Sequence, residues 1–201
     1  MYSHLVATSK TLRELLKDFM SRRLEGFAAG GSLDVTLQTP QEMTSSQASS
    51  EGLSLWLYRV ARDEHRLNDP PIVRRQPDGS MEALPPPLPL RLHYLMTPLA
   101  KQPETEQLIL GCVLQCFHAT PIVMGPRLQG SLAGTEAEVH LRLEALGLEE
   151  ITRVWEALEG SYQLAVSYEV SLVNIDSAAR PEHLELVESV HTDSTLIVGV
   201  E

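Results

Sequence analysis

Hydrophobic residues recur along this chain with two periods, and each period marks a kind of element. Leu12, Leu15, Leu16 and Phe19 follow the i, i+3, i+4, i+7 stripe of an amphipathic helix. Leu5 continues the same face backwards, which predicts a helix over most of residues 3–24, stopped by Gly26, Gly30 and Gly31. Residues 33–37 (Leu-Asp-Val-Thr-Leu) alternate apolar and polar and predict a strand. Residues 53–58 and 88–97 alternate in the same way, the latter with prolines at its entry.

Pro103, Glu104 and Glu106 open a second helix, as the backbone dipole favours, and Thr120-Pro121 closes it. Its spacing puts Leu108, Cys112, Gln115 and Cys116 on one face. Residues 122–132 read as loop with a short extended piece, and residues 139–143 as a short strand. A short helix over 148–158 carries Ile151, Val154, Trp155 and Leu158 on one side and ends at Gly160. Residues 162–173 alternate throughout and predict another strand.

Between these elements the pattern dissolves twice. Residues 44–50 (TSSQASS) read as a polar linker. From Arg59 to Pro87 the chain holds Pro70, Pro71, Pro77, an Asp78-Gly79 turn signal and the triple proline 85–87. An irregular stretch of that length is unusual inside a compact domain and points to a functional or mobile segment. The tail is acidic from Glu182 and finishes in the apolar, β-prone residues 195–200. The order α-β-β-β-α-β-α-β predicts a mixed α/β, α+β-like fold: one central mixed sheet of about five or six strands, flanked by about three helices. The expected organisation is a domain over residues 1–176, then an acidic extension over 177–201 ending in a strand.

Composition adds limits. The 201 residues are 43% hydrophobic and 21% charged, as in an ordinary globular domain. The longest apolar run, residues 108–114, falls far short of the ~20 residues that a membrane span needs. The first residues lack the basic-then-apolar layout of a secretory signal, so an unexported soluble chain is expected. The net charge of −11 sits wholly in the second half. Residues 1–100 hold 11 basic and 11 acidic side chains, and residues 101–201 hold 5 and 16. Such a balance argues against nucleic acid and anionic membrane as partners. It suits docking to other proteins, or simply keeps the chain soluble.

Candidate chemistry is sparse. Cys112 and Cys116 share a helix face, but two thiols do not make a zinc site, and both read as small buried apolar residues. The absence of a disulfide framework fits a reducing compartment. Residues 125–131 have the outer spacing of a phosphate-binding loop without its lysine, and Pro126 removes an amide from the cradle. No H-E-x-x-H pattern and no G-x-S-x-G elbow appears among the seven histidines and the serines. Glu149 and Glu150 read as acids opening a helix. No catalytic, cofactor-binding or metal residue is predicted, although spatially assembled sites leave no such local signature. Arg59, Arg62, Arg66, Arg74 and Arg75 do stand out, bunched beside and within the long irregular stretch. They fit a protein contact through planar guanidinium forks, or a solvated loop paired locally with Asp63, Glu64 and Asp69.

The order and spacing of several segments carry a resemblance. They are Leu53-Ser-Leu-Trp-Leu-Tyr-Arg-Val60 followed by Arg66-Leu-Asn68, then Pro86-Pro-Leu-Pro-Leu-Arg-Leu-His-Tyr-Leu-Met-Thr97. Glu106-Gln-Leu-Ile-Leu-Gly111 with Pro121 comes next, then Thr152-Arg-Val-Trp155-Glu-Ala-Leu158 leading into residues 162–173. Over residues up to about 176 the chain resembles the N-terminal domain of cap, or tail-terminator, proteins of extracellular contractile injection systems. The antifeeding prophage and the Photorhabdus virulence cassettes are examples. The resemblance implies a non-enzymatic ring, in the family a hexamer, that needs no cofactor. The ring binds the last layer of inner tube and sheath and stops both from growing. Implied partners are further copies of the chain and the sheath and tube subunits. Implied localisation is cytoplasmic during assembly, then within the particle.

On that expectation the five arginines meet an acidic partner surface. Leu196, Ile197 and Val198 of the apolar end either pack on their own sheet or pair with a neighbour's edge. Rival readings are a baseplate or adaptor subunit of the same particle, and a small cytoplasmic enzyme.

Overall fold

The computed structural model describes residues 2–24, 33–45 and 51–184. The chain divides into two compact units, residues 1–68 with 87–176, and residues 69–86 with 177–201.

In the larger unit, Leu12 and Leu16 of helix α1 (His4–Arg23) are fully buried, with Leu5, Leu15 and Phe19 packed beside them. The helix also buries Thr8, Ser9 and Thr11. Thr8 and Thr11 donate to the carbonyls four residues back at 2.8 Å, and Ser9 meets the Tyr94 hydroxyl. Strand β1 (Asp34–Thr36) pairs parallel with β2 (Gly52–Arg62). Gly52 lies so close to β1 that a Cβ there would meet the Asp34 carbonyl oxygen. Helix α2 (Pro40–Ser45) stands between them in sequence.

Strand β5 (Leu88–Leu99) pairs antiparallel with β2 and with β8 (Val166–Ile175). β7 (Glu138–Leu143) and β6 (Ile122–Met124) follow, giving a six-stranded sheet in the order β1-β2-β5-β8-β7-β6. Helix α3 (Pro103–Ala119) lies with α1 against Leu53, Leu55, Leu92, Tyr94, Met96 and Val170 on one face of the sheet. Helix α4 (Leu148–Ala157) covers part of the other, where Ile151 and Trp155 close over Leu95. Residues of both parities in β5 are therefore buried, each at about 1.5–3 kcal/mol for a fully enclosed large apolar side chain.

In the smaller unit, β3 (Ile72–Arg75), β4 (Met81–Leu84) and β9 (Glu182–Leu184) make an antiparallel three-stranded sheet. The Asp78-Gly79 signal forms its hairpin turn: Gly79 takes φ +89°, and the Asp78 carboxylate accepts the Ser80 amide at 2.9 Å.

The expected fold class holds: the described residues form a mixed sheet of six strands and four α-helices, where about three helices were expected. Details differ. Thr44 and Ser45 belong to α2 rather than to a linker. Thr39 Oγ1 accepts the Glu42 amide while Glu42 reaches back to the Thr39 amide, a capping box that residues 39–42 spell out. The stretch from Arg59 to Pro87 is not irregular throughout, because β2 runs on to Arg62 and the β3–β4 hairpin follows. On α3 the buried positions are Ile109, Leu110, Val113, Cys116 and Phe117, while Leu108 and Gln115 face solvent. The run Leu-Ile-Leu-Gly-Cys-Val-Leu is apolar all round, so spacing alone misplaces its inner face. The last long strand begins at Val166, four residues later than expected. Residues 195–200, with Leu196, Ile197 and Val198, lie outside the described residues.

Candidate functional site

The five arginines are divided between the two units. Arg59 and Arg62 lie on the far end of β2, and Arg66 in a 3-10 turn (Glu64–Arg66), all in the larger unit. Arg74 and Arg75 lie on β3 in the smaller one. Arg66 donates to Asn174 Oδ1 at 2.9 Å. Arg59, Arg62, Arg74 and Arg75 are exposed and form no ion pair among the described residues. Asp63, expected as a local partner, is taken instead by Arg91 at 2.9 Å.

Strand alternation divides the arginines further. Arg59 pairs across the sheet with His93 and Arg62 with Leu90, so their side chains leave opposite faces. On β3 Arg74 stands opposite Glu82, on the face that also carries His183. Arg75 stands opposite Met81, on the face of Val73 and Ala83. Ala83 is the one buried residue of that sheet among those described, and Ile72 and Val73 are 45% and 50% exposed. A three-stranded sheet with so little buried surface is marginal by itself, so its exposed apolar side chains suit a contact. β1 and β6 form the two edges of the larger sheet, and Ile122 and Met124 of β6 are exposed beside the open edge. Leu148, at the start of α4, is 74% exposed among Glu149, Glu150 and Glu156.

A second group of residues lies on the α4 side of the larger sheet, and sequence reasoning missed it. Arg91 Nη2 donates to Asp63, and Arg91 Nη1 to Glu169 Oε2 at 3.3 Å. His93, 6% exposed, holds Glu144 Oε1 at 2.8 Å through Nδ1. Glu144 Oε2 accepts from Ser167, and the Tyr58 hydroxyl lies 3.0 Å from Ser167 Oγ. Burial pushes the Asp63 carboxyl up, and hydrogen bonds from Arg91 and the His65 amide outweigh it, holding it below its usual value. The same Asp63 bond holds the Arg91 guanidinium more firmly protonated. Burial raises the Tyr58 phenol. His93 and Glu169 sit on two strands and Glu144 in the segment after β7, far apart in sequence, so no spacing motif announces them. The detectable signal is polar residues at alternate positions of two central strands.

Several other titratable groups serve structure. Glu51 and Glu106, which line an open depression with Met43, Leu99 and Lys101, accept the Lys101 and Ala100 amides. Glu150 caps the Gly147 amide at 2.9 Å and Glu149 pairs with Arg153, the helix-opening role that the sequence suggests. Cys116 is buried and its thiol is pushed up to about 12 by burial, while Cys112 is half-buried and also raised. Neither is a ready thiolate.

A family profile described as the Pvc16 N-terminal domain matches residues 7–189. No curated protein is significantly similar to the chain. Two solved structures share its fold. One is the sheath/tube terminator of a PVC extracellular contractile injection system in its extended state: 17% identity, TM-score 0.55, with 92% of this chain and 65% of that chain covered. The other is the tube-terminating cap of the anti-feeding prophage: 16% identity, TM-score 0.58, with 96% of this chain and 61% of that chain covered. The chain thus spans less than two thirds of the length of either.

Proposed function

The chain belongs to the Pvc16 N-terminal domain family, and from that membership we propose that it is a structural cap, not an enzyme. It binds the last layer of tube and sheath of a contractile injection particle as a ring, a hexamer by family resemblance, and stops growth. The observation that carries this reading is the family match over residues 7–189. The shared fold with two terminating caps supports it. A cap must copy enough of a docking surface to hold the growing end, yet present nothing on which the next layer builds. Two units with different surfaces suit that division.

The partner contacts belong to the same proposal. Arg75 with Val73 offers an apolar, basic strand face, and Arg74 with Ile72 the opposite face of the same strand. Leu148, Glu149, Glu150 and Glu156 offer an apolar, acidic helix surface, which a head-to-tail ring would bring together between copies. Arg59, Arg62 and Arg66 remain candidates for the sheath or tube side, and Leu196, Ile197 and Val198 for pairing with a neighbouring edge. Assembly in the cytoplasm precedes release within the particle. The capping domain is assigned to residues 1–176 and its extension to residues 177–201, of which Glu182–Leu184 completes the small sheet with β3 and β4.

Gold labelling of an epitope-tagged chain on isolated particles tests the reading. Label at the end opposite the baseplate supports a cap. Label at the baseplate end favours the adaptor alternative, and unlabelled particles with a free monomer in the lysate favour an unrelated role.

A further inference from the structure

The cluster beside α4 has a composition that a cap need not have. His93 on β5 and Glu169 on β8 stand directly opposite in the antiparallel pairing, so both side chains leave the same face. Glu144 follows β7 and is anchored by its own amide, which donates to the Ser167 carbonyl at 2.9 Å. One ligand atom from each of the three lies within 4.8 Å of the others. We propose that His93, Glu144 and Glu169 bind one divalent transition-metal cation of the zinc class, tying β5, β8 and the segment after β7 together.

The distances are close to what such a cation needs. A tetrahedral ion about 2.1 Å from its ligands holds them about 3.4 Å apart. The His93–Glu144 contact of 2.8 Å has to open to about 3.4 Å, and the wider separations, within 4.8 Å, have to close by about 1.4 Å at most. One imidazole nitrogen with two carboxylate oxygens suits zinc or manganese rather than the all-oxygen sets of calcium and magnesium.

The surroundings match an outer shell that orients ligands. Ser167 and Tyr58 hold the Glu144 oxygen that faces away from His93. Arg91 holds Glu169 Oε2, and is itself turned by Asp63. Charge points the same way. Of three largely buried carboxylates, Asp63 and Glu169 share the one guanidinium of Arg91, and Glu144 has the His93 imidazole. Arg59 and Arg142, which stand opposite His93 and Glu169 on the neighbouring strands, are solvent-exposed and unpaired with the cluster. A surplus of enclosed carboxylate is costly, and a bound cation discharges it.

The full chain, stripped with a chelator, is titrated with Zn²⁺ and Mn²⁺ while thermal unfolding is followed, and with Co²⁺ as a spectroscopic probe. The expected result is one equivalent of Co²⁺ with visible absorption, and a Tm raised by about 5–10 °C at a hundredfold excess over Kd. Both responses are lost in His93→Gln and Glu144→Gln. They persist in His140→Gln and Cys116→Ala, which control for the exposed His140–Glu138 pair and the helix thiols. Absence of both responses in the folded, unmutated chain overturns the site, as does a response that survives His93→Gln. Either outcome leaves the capping proposal untouched.

Discussion

Arg74 and Arg75 are neighbours in sequence and stand on opposite faces of their sheet, the first opposite Glu82 and the second opposite Met81. A single flat contact therefore cannot use both. Arg75 shares its face with Val73 and Ala83, and Arg74 shares its face with the Glu82–His183 pair at 4.0 Å. Arg75→Glu is expected to weaken association between copies about tenfold, and Arg74→Glu much less. Analytical ultracentrifugation of each variant reads the difference, and equal effects would deny the facial preference.

Trp155 anchors α4 through Leu95, yet its buried indole nitrogen has no hydrogen-bond partner among the described residues. Trp155→Ala is expected to cost about 3–5 kcal/mol by leaving a cavity. Trp155→Phe loses area but also removes an unpaired donor whose burial costs about 1–3 kcal/mol, so it should cost less than half as much. Urea unfolding of both variants gives the comparison.

Asp63 makes stability depend on pH in a known direction. Its carboxyl is held below its unfolded value, so the folded state binds the proton less tightly than the unfolded chain. The contribution is complete above the ordinary carboxylate value of about 3.9 and is lost as pH falls through the lower folded value. Asp63→Asn should lower stability at pH 7 and flatten the acid limb of the urea midpoint. An acid limb unchanged by the substitution would mean that other groups set it.

Gly52 admits β1 to the sheet because it has no side chain. Gly52→Ala places a methyl against the Asp34 carbonyl, and β1 is expected to detach while the β2–β5 pairing persists. Hydrogen exchange should then show lost protection over residues 34–36 and 52–54 and little change over 92–96.

What the sequence made legible follows from how strongly each element is patterned. α1 and α4 bury one stripe each, and β5 and β8 lie between named covers, so Leu12, Leu16, Trp155 and Tyr168 could be placed by period. α3 has apolar residues on every side, and its inner face was displaced by one position. α2 is six residues long, too short for a stripe, and only the Thr39–Glu42 capping box betrays it. β3 has all four residues exposed, so alternation between buried and open positions has nothing to mark there. The cluster of His93, Glu144 and Glu169 is assembled by sheet register, and register is not written in any one strand.

If this chain stops tube and sheath growth, its removal must leave length unregulated. Deleting it from its producer and measuring particle lengths by negative-stain electron microscopy is the decisive experiment. Scattered lengths are expected, with bare tubes or incomplete sheaths, restored to one length by the intact chain. Uniform, fully sheathed particles in its absence would show that something else ends growth.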